Sequence, residues 1–149
     1  MSNQLPIRLR AANSEDVSFI FNSWLKSFRN SFFAKSIANE IYFNSHHKVI
    51  EKLIKESKIT VACSESDPNQ LYGYICAGQV DNFFMLHYIY VKHSFRNMGI
   101  AKSLLNSFDH DPSVASIFTH NTRVCDKLAS RYNFIYNPYM LLNMESDND

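Results

Sequence analysis

Residues 6–11 alternate Ile7 and Leu9 with Arg8 and Arg10, a period of two that predicts a strand with one wet face. The period then lengthens. Ser14 is placed to cap a helix, Glu15 and Asp16 suit its positive end, and Val17, Ile20, Phe21, Trp24, Leu25 and Phe28 follow at helical spacing. A second helix is expected over residues 37–57, with Ile41, Val49, Ile50, Leu53 and Ile54 on its apolar side. From Lys58 the alternation returns: Ile59, Val61 and Cys63 oppose Thr60, Ala62 and Ser64. Ser66, Asp67, Pro68 and Asn69 predict a turn, residues 71–80 a strand, and Asp81 with Asn82 another turn. Residues 83–91 are almost all apolar or aromatic, as in a central strand covered on both faces. A loop, a helix over 100–108, a break at Asp111 and Pro112, a strand over 114–119, a helix over 122–132 and a strand over 134–144 complete the pattern. An acidic tail from 145 is expected to fray. The order is β-α-α-β-β-β-α-β-α-β: an α/β (mixed α+β) fold, a central mixed sheet with helices packed on both faces, in one domain spanning 1–149.

Composition narrows the function classes. Hydrophobic residues are 46% of the chain and aromatics 14%, enough for a large core and unlike a disordered chain. A net charge of +1 speaks against a strongly basic nucleic-acid groove. Cys63, Cys76 and Cys125 are odd in number and far apart, which fits reduced thiols in a cytoplasmic protein. Met1, Ser2, Asn3, Gln4 and Leu5 do not resemble a signal peptide, and no apolar run approaches the roughly 20 residues of a membrane helix.

The densest chemistry lies in Arg96, Asn97, Met98, Gly99, Ile100 and Ala101, between the buried strand and the following helix. Unpaired N–H groups at a helix start attract phosphate oxygens. Gly99 lets the backbone approach a ligand, Ala101 is nearly as small, and Arg96 adds a permanent cation with forked donors. Ile100, Leu104, Leu105 and Phe108 would anchor the helix and so fix where those groups point.

This R-x-x-G-x-A segment, in its strand–loop–helix setting, resembles the acetyl-CoA signature of the GNAT superfamily of N-acetyltransferases, and the likeness extends over nearly the whole chain. Stretches around Val91 to Arg96 and Ser23 to Ser27 also resemble phage-encoded members. The resemblance implies acetyl-CoA, or another acyl-CoA, as co-substrate, no metal, and transfer to a primary amine by direct attack. It further implies that the pantetheine pairs with backbone groups of Ile89, Tyr90 and Val91, one of whose N–H groups polarises the thioester. The family's usual acidic base would fall on or near Met85, and its usual tyrosine acid on Ala129, so this chain departs from both. His87, on the face of Met85 by simple alternation, is the substitute base, or else a satisfied core histidine; a bulge, frequent in the family, would flip that parity. Tyr132, three residues beyond Ala129, is the substitute acid or a packing residue. Trp24, Lys26 and Arg29 on the first helix are candidate acceptor contacts, although Trp24, Phe28, Phe32 and Phe33 also read as plain core.

Other groups carry less. His46 and His47 are adjacent and face different ways, His93, His110 and His120 lack ligand-like spacing, and Cys125 mid-helix reads as a small buried residue. Two further functions share the pattern: a phage-type nucleobase (DNA) modification enzyme on the same fold, and a non-catalytic acyl-CoA-binding module. A monomer and a homodimer are both compatible with the chain.

Overall fold

The computed structural model describes residues 6–31, 34–80, 83–108 and 113–143. Six strands, β1 (Ile7–Ala11), β2 (Lys58–Ser64), β3 (Leu71–Val80), β4 (Phe83–Val91), β5 (Ser116–Phe118) and β6 (Phe134–Tyr136), form one sheet in chain order. β1 to β4 run antiparallel, and β4–β5 and β5–β6 pair in parallel. Helices α1 (Val17–Phe28) and α2 (Asn39–Glu56) lie between β1 and β2 in the chain, α3 (Ile100–Asn106) joins β4 to β5, and α4 (Arg123–Arg131) joins β5 to β6. The expected order of elements is therefore the observed one.

Two cores flank the sheet. On one face Ile20, Trp24 and Phe28 of α1 and Tyr42, Ile50 and Leu53 of α2 pack on Ile59, Val61, Tyr74, Cys76 and Tyr88. On the other, Ile100, Leu104 and Leu105 of α3 and Cys125 of α4 pack on Ala62, Ile75, Ala77, Leu86, Ile89 and Phe118. Burying each large side chain contributes about 1.5–3 kcal/mol, so the two layers supply most of the driving force. Hydroxyl contacts then fix the first layer in register: Ser23 Oγ meets the Tyr74 hydroxyl at 3.0 Å, Ser27 Oγ meets that of Tyr88 at 2.5 Å, and the Tyr42 hydroxyl donates to the Leu25 carbonyl at 2.6 Å. The three cysteines are free and buried.

Several boundaries differ from the sequence reading. Asn13, not Ser14, caps the first helical segment: its side chain accepts from the Glu15 amide while Asp16 accepts from the Asn13 amide, and a 3-10 turn at Ser14–Asp16 precedes α1. Asp16 is engaged there because Arg10 grips it with two nitrogens, at 2.7 and 3.0 Å. Burial acts to raise the Asp16 carboxyl, and the Arg10 bonds with the Asn13 amide outweigh this, leaving it below its ordinary value. The expected helix over 37–57 begins only at Asn39, after a 3-10 turn at Ala34–Ser36, and Ile41 is 59% exposed while Tyr42 takes the inward position. The helix expected over 100–108 ends at Asn106, and the strand expected over 114–119 narrows to Ser116–Phe118. The last strand stops at Tyr136 because Asn137 turns the chain, accepting from the Tyr139 amide, and Pro138 has no N–H to extend a ladder; a 3-10 turn at Pro138–Asn143 follows. The expected turn at Asp81 and Asn82, the break at Asp111 and Pro112, His110, Phe32, Phe33, the first five residues and the acidic tail lie outside the described residues.

Two register shifts bend the sheet. In β3, Ala62 pairs with Gly73 but Cys63 with Leu71, so Tyr72 is an extra residue. In β4, Cys76 pairs with Tyr88 but Ala77 with Leu86, so His87 is extra. At Gly73 the backbone of β3 closes on β4, where a Cβ would collide with the Tyr90 carbonyl oxygen and come within 3.0 Å of Val91 Cα. Gly73→Ala is therefore expected to destabilise by about 2–3 kcal/mol and to lower Tm by roughly 5–10 °C, measured by thermal unfolding; an unchanged Tm would show that the strands separate freely there.

Candidate active site

β4 and β5 part company at His87. Their pairing covers Met85 with Ile117 and Leu86 with Phe118, and the Thr119 amide still reaches the Leu86 carbonyl at 3.1 Å. Beyond that, among the described residues, Tyr88, Ile89, Tyr90 and Val91 pair with β3 alone, so their other edge faces no strand. The extra residue sits at the fork, and it reverses the facing of all that follows: Phe84 and Leu86 share a core with Ile89, whereas Tyr88 belongs to the opposite one.

β4 then leads directly into the Gly-containing segment. The Lys92 amide donates to the Tyr72 carbonyl at 2.8 Å, and a 3-10 turn at His93–Phe95 presses Phe95 on Tyr72, ring centroids 4.4 Å apart. Arg96 folds back, its Nε donating to the Val91 carbonyl at 2.8 Å and its guanidinium carbon 5.9 Å from the Tyr90 ring centre. Asn97 and Gly99 both take the left-handed conformation, φ 66° and 80°. Asparagine tolerates this better than other side chains and glycine has no penalty there. A Cβ on Gly99 would meet nothing within 4 Å, so its necessity is conformational, and the space beside it is open. α3 starts at Ile100, its first turn closed by the Ser103 amide on the Gly99 carbonyl, with Met98 45% exposed and Ile100 buried as the anchor. Ala101 and Lys102 lie in that first turn. The segment thus joins a free strand edge to open, left-handed backbone and a helix start.

His87 is 0% exposed. Its Nδ1 lies 3.0 Å from Thr119 Oγ1, and its Nε2 is buried with no hydrogen-bond partner. Burial pushes the imidazole down to about 4, so it is neutral at neutral pH and its titration moves well below the range of a solvated histidine. Thr119 in turn contacts His120, a link that residue spacing did not suggest.

The remaining candidates are scattered. Tyr132 closes α4 and is 49% exposed. Trp24 is 0% exposed, stacked on Tyr88 with centroids 4.8 Å apart, and its indole nitrogen is unpartnered. Lys26 stands exposed on the outer side of α1. Arg29 is occupied: its Nε and one terminal nitrogen hold Asn39 Oδ1, the terminal nitrogens also reach the Ala34 and Ile37 carbonyls, and the group lies over the Tyr42 ring. Among the described residues no group of three or more His, Cys, Asp or Glu is gathered as a metal site, and no helix is long and apolar enough to cross a membrane.

The sequence profile of the acetyltransferase (GNAT) family matches residues 18–110, well over half the chain and including the whole forked strand and the segment after it. The chain belongs to the GNAT family. Solved structures of GNAT proteins share the fold at low identity. A candidate acetyl transferase from Pyrococcus furiosus aligns over 95% of this chain and 85% of its own, at 20% identity and TM-score 0.53. The histone acetyltransferase HPA2 and related acetyltransferase of Corynebacterium glutamicum gives 16% identity over 69% and 70%, TM-score 0.55. PaiA N-acetyltransferase of Thermoplasma acidophilum, solved in complex with coenzyme A, gives 19% identity over 69% of each chain, TM-score 0.50. A search of curated proteins finds no significant match. Met85, on or near which the resemblance put the family's acidic strand position, is buried and paired with Gly78 and Ile117.

The two buried imidazoles and the partly buried His46 carry a pH signature. His46 and His87 are each pushed down to about 4 and His120 is held well below its ordinary value, burial being the main cause in each. Neutral in the fold and charged in the unfolded chain, they contribute stability that is present above an ordinary imidazole value of about 6.5 and lost as pH falls towards 4. Tm is expected to drop steadily between pH 6.5 and 4.5; a flat profile across that window would contradict the burial of these rings.

Proposed function

We propose that this protein is an acyl-CoA-dependent N-acyltransferase that moves an acetyl group from acetyl-CoA to a primary amine by direct attack. The observation that carries the reading is the continuous track from the fork at His87, along the unpaired edge of β4, into the open left-handed segment at Asn97 and Gly99. Arg96, Asn97, Met98, Gly99, Ile100 and Ala101 would hold the pyrophosphate through backbone N–H groups and the Arg96 guanidinium. Ile89, Tyr90 and Val91 would pair with the amides of the pantetheine, much as a further strand would. Such pairing would bring the thioester near the bulge, where a strand N–H would stabilise the oxygen as it becomes negative.

The amine nitrogen attacks the carbonyl carbon, the tetrahedral adduct collapses, and the C–S bond breaks to release the CoA thiolate. The attacking amine must lose a proton and the thiolate must gain one. His87 is our candidate for the first step, and Tyr132, half exposed and free to reach solvent, for the second. The buried His87 ring would give its pH–rate inflection near 4 rather than near 6.5. Trp24, Lys26 and Arg29 are proposed to shape the acceptor side, Lys26 by contact and Arg29 by holding the loop carbonyls of Ala34 and Ile37. Positioning two reactants contributes much of the acceleration, so catalysis does not rest on these groups alone.

Coenzyme A at 100 times its Kd is expected to add about 2.7 kcal/mol to stability, a rise in Tm of several degrees. Gly99→Glu should abolish that rise by placing a charged side chain on left-handed backbone where phosphate is to lie. A wild-type melting curve unmoved by millimolar CoA would sink the reading. Acetyl-CoA consumption with a panel of primary amines separates transfer from binding alone.

A further inference from the structure

The proposed base is a dead end if it keeps its proton, for it is sealed from solvent. It is not isolated, however. His87 Nδ1 lies 3.0 Å from Thr119 Oγ1, Thr119 Oγ1 lies 3.1 Å from His120 Nδ1, and His120 Nε2 lies 3.0 Å from His46 Nε2. The links join β4, the residues after β5, and α2, across 74 positions of sequence in the last case. Thr119 and His120 are buried, while His46 is only partly so. Ring packing sets the geometry: His46 stacks on Phe28 and Tyr42 with centroids 4.8 and 5.5 Å away, and stands edge-on to His120 at 82°. Trp24, Phe28 and Tyr88 pack their rings around His120. Among the described residues the titratable groups stacked on or around these imidazoles are Tyr42 and Tyr88, and no carboxylate or ammonium bonds to the three rings.

We propose that His87, Thr119, His120 and His46 form a proton relay that carries a proton from the fork in the sheet to the surface of α2. The proposal rests on the acetyl-transfer reading for the source of the proton, but the relay itself is a property of the four side chains. With all groups neutral, the chain can be satisfied in two orders. In the first, His87 donates from Nδ1 to Thr119, Thr119 donates to His120 Nδ1, and His120 donates from Nε2 to His46, whose own proton is on Nδ1. His87 Nε2 is then a bare lone pair, in keeping with its lack of a partner. In the second order every hydrogen bond points the other way, and His87 carries its proton on Nε2.

One proton entering at His87 Nε2 converts the first order into the second. Each N–H or O–H bond passes its hydrogen along, His46 gains one on Nε2, and His46 releases its Nδ1 proton to water. One proton enters, one leaves, and no buried group stays charged. This resolves the weakness of a base pushed down to about 4 by burial, since the charge need not reside on it. The order resets when water returns a proton to His46 Nδ1 and His87 gives up its Nε2 proton to water entering the fork as product leaves, the thiolate having taken its proton from Tyr132.

The experiment uses protein labelled with 15N in histidine, comparing wild type with His46→Phe, Thr119→Val and Thr119→Ser. His46→Phe keeps a ring between Phe28 and Tyr42, and Thr119→Val keeps the shape while removing the hydroxyl. A scalar coupling across the hydrogen bond between the Nε2 atoms of His46 and His120 is expected, together with a change in the tautomer populations of His87 when His46 is replaced. His87 shifts identical in wild type and His46→Phe would overturn the relay, whether or not the protein turns over. In turnover with acetyl-CoA and an accepted amine, His46→Phe and Thr119→Val should lower kcat by about tenfold or more without changing CoA affinity, and Thr119→Ser should recover most of it. The wild-type rate should fall along a bowed curve as D2O replaces H2O, and become linear in Thr119→Val; a linear wild-type curve would also overturn the proposal. Failure of all amines to react, with the tautomer coupling present, would refute acetyl transfer and leave the relay standing.

Discussion

The whole candidate site hangs on one extra residue in β4. An antiparallel strand that pairs regularly with β3 would keep one facing throughout, but His87 has no partner in that ladder, and the facing reverses after it. The same residue marks where β5 stops following β4. Both effects come from one local kink: it twists the strand away from its parallel neighbour and turns the backbone of Ile89 to Val91 into a free edge. An edge of this kind is usually a liability in a sheet. Here it runs from the fork to a loop of open, left-handed backbone and the start of α3.

The two faces of the sheet divide the labour. α3 and α4, with their aliphatic contacts, share one face of the sheet with Ile89 and Phe95, the residues on either side of the end of β4. α1 and α2 bring aromatic and hydroxyl groups to the other: Trp24 on Tyr88, Ser27 on the Tyr88 hydroxyl, and Phe28 and Tyr42 around His46. Such rings pack at defined angles and are stiffer than aliphatic chains. That stiffness lets the buried His87 and His120 nitrogens sit 3.0 and 3.1 Å from Thr119 Oγ1 inside the core.

The order of elements was legible because period two and period 3.6 leave different marks, and the Gly99 segment because it interrupts two apolar runs. Precision failed where a single side chain decides the outcome. Asn13 outcompeted Ser14 as cap because Arg10 draws Asp16 into place, a contact between a strand and a helix. Tyr42 displaced Ile41 because its hydroxyl found the Leu25 carbonyl. Simple alternation could not say which way His87 faces, since no residue type marks a bulge of this kind. The link from His87 to His46 was invisible because it passes through three elements that meet only in the fold, and adjacency of His46 and His47 in the sequence pointed elsewhere.

Asn97 and Gly99 hold their left-handed backbone braced on one side by Arg96 on the Val91 carbonyl and on the other by the first turn of α3. A loop of this kind has surrendered its conformational freedom during folding. Little remains to be lost when a molecule binds, so its affinity reflects contacts made rather than order imposed. Because αL backbone is a narrow well for any side chain but glycine or asparagine, the shape is also inherited as a unit. Charges around such a loop can be exchanged by single substitutions, whereas its backbone shape is kept or lost as a whole.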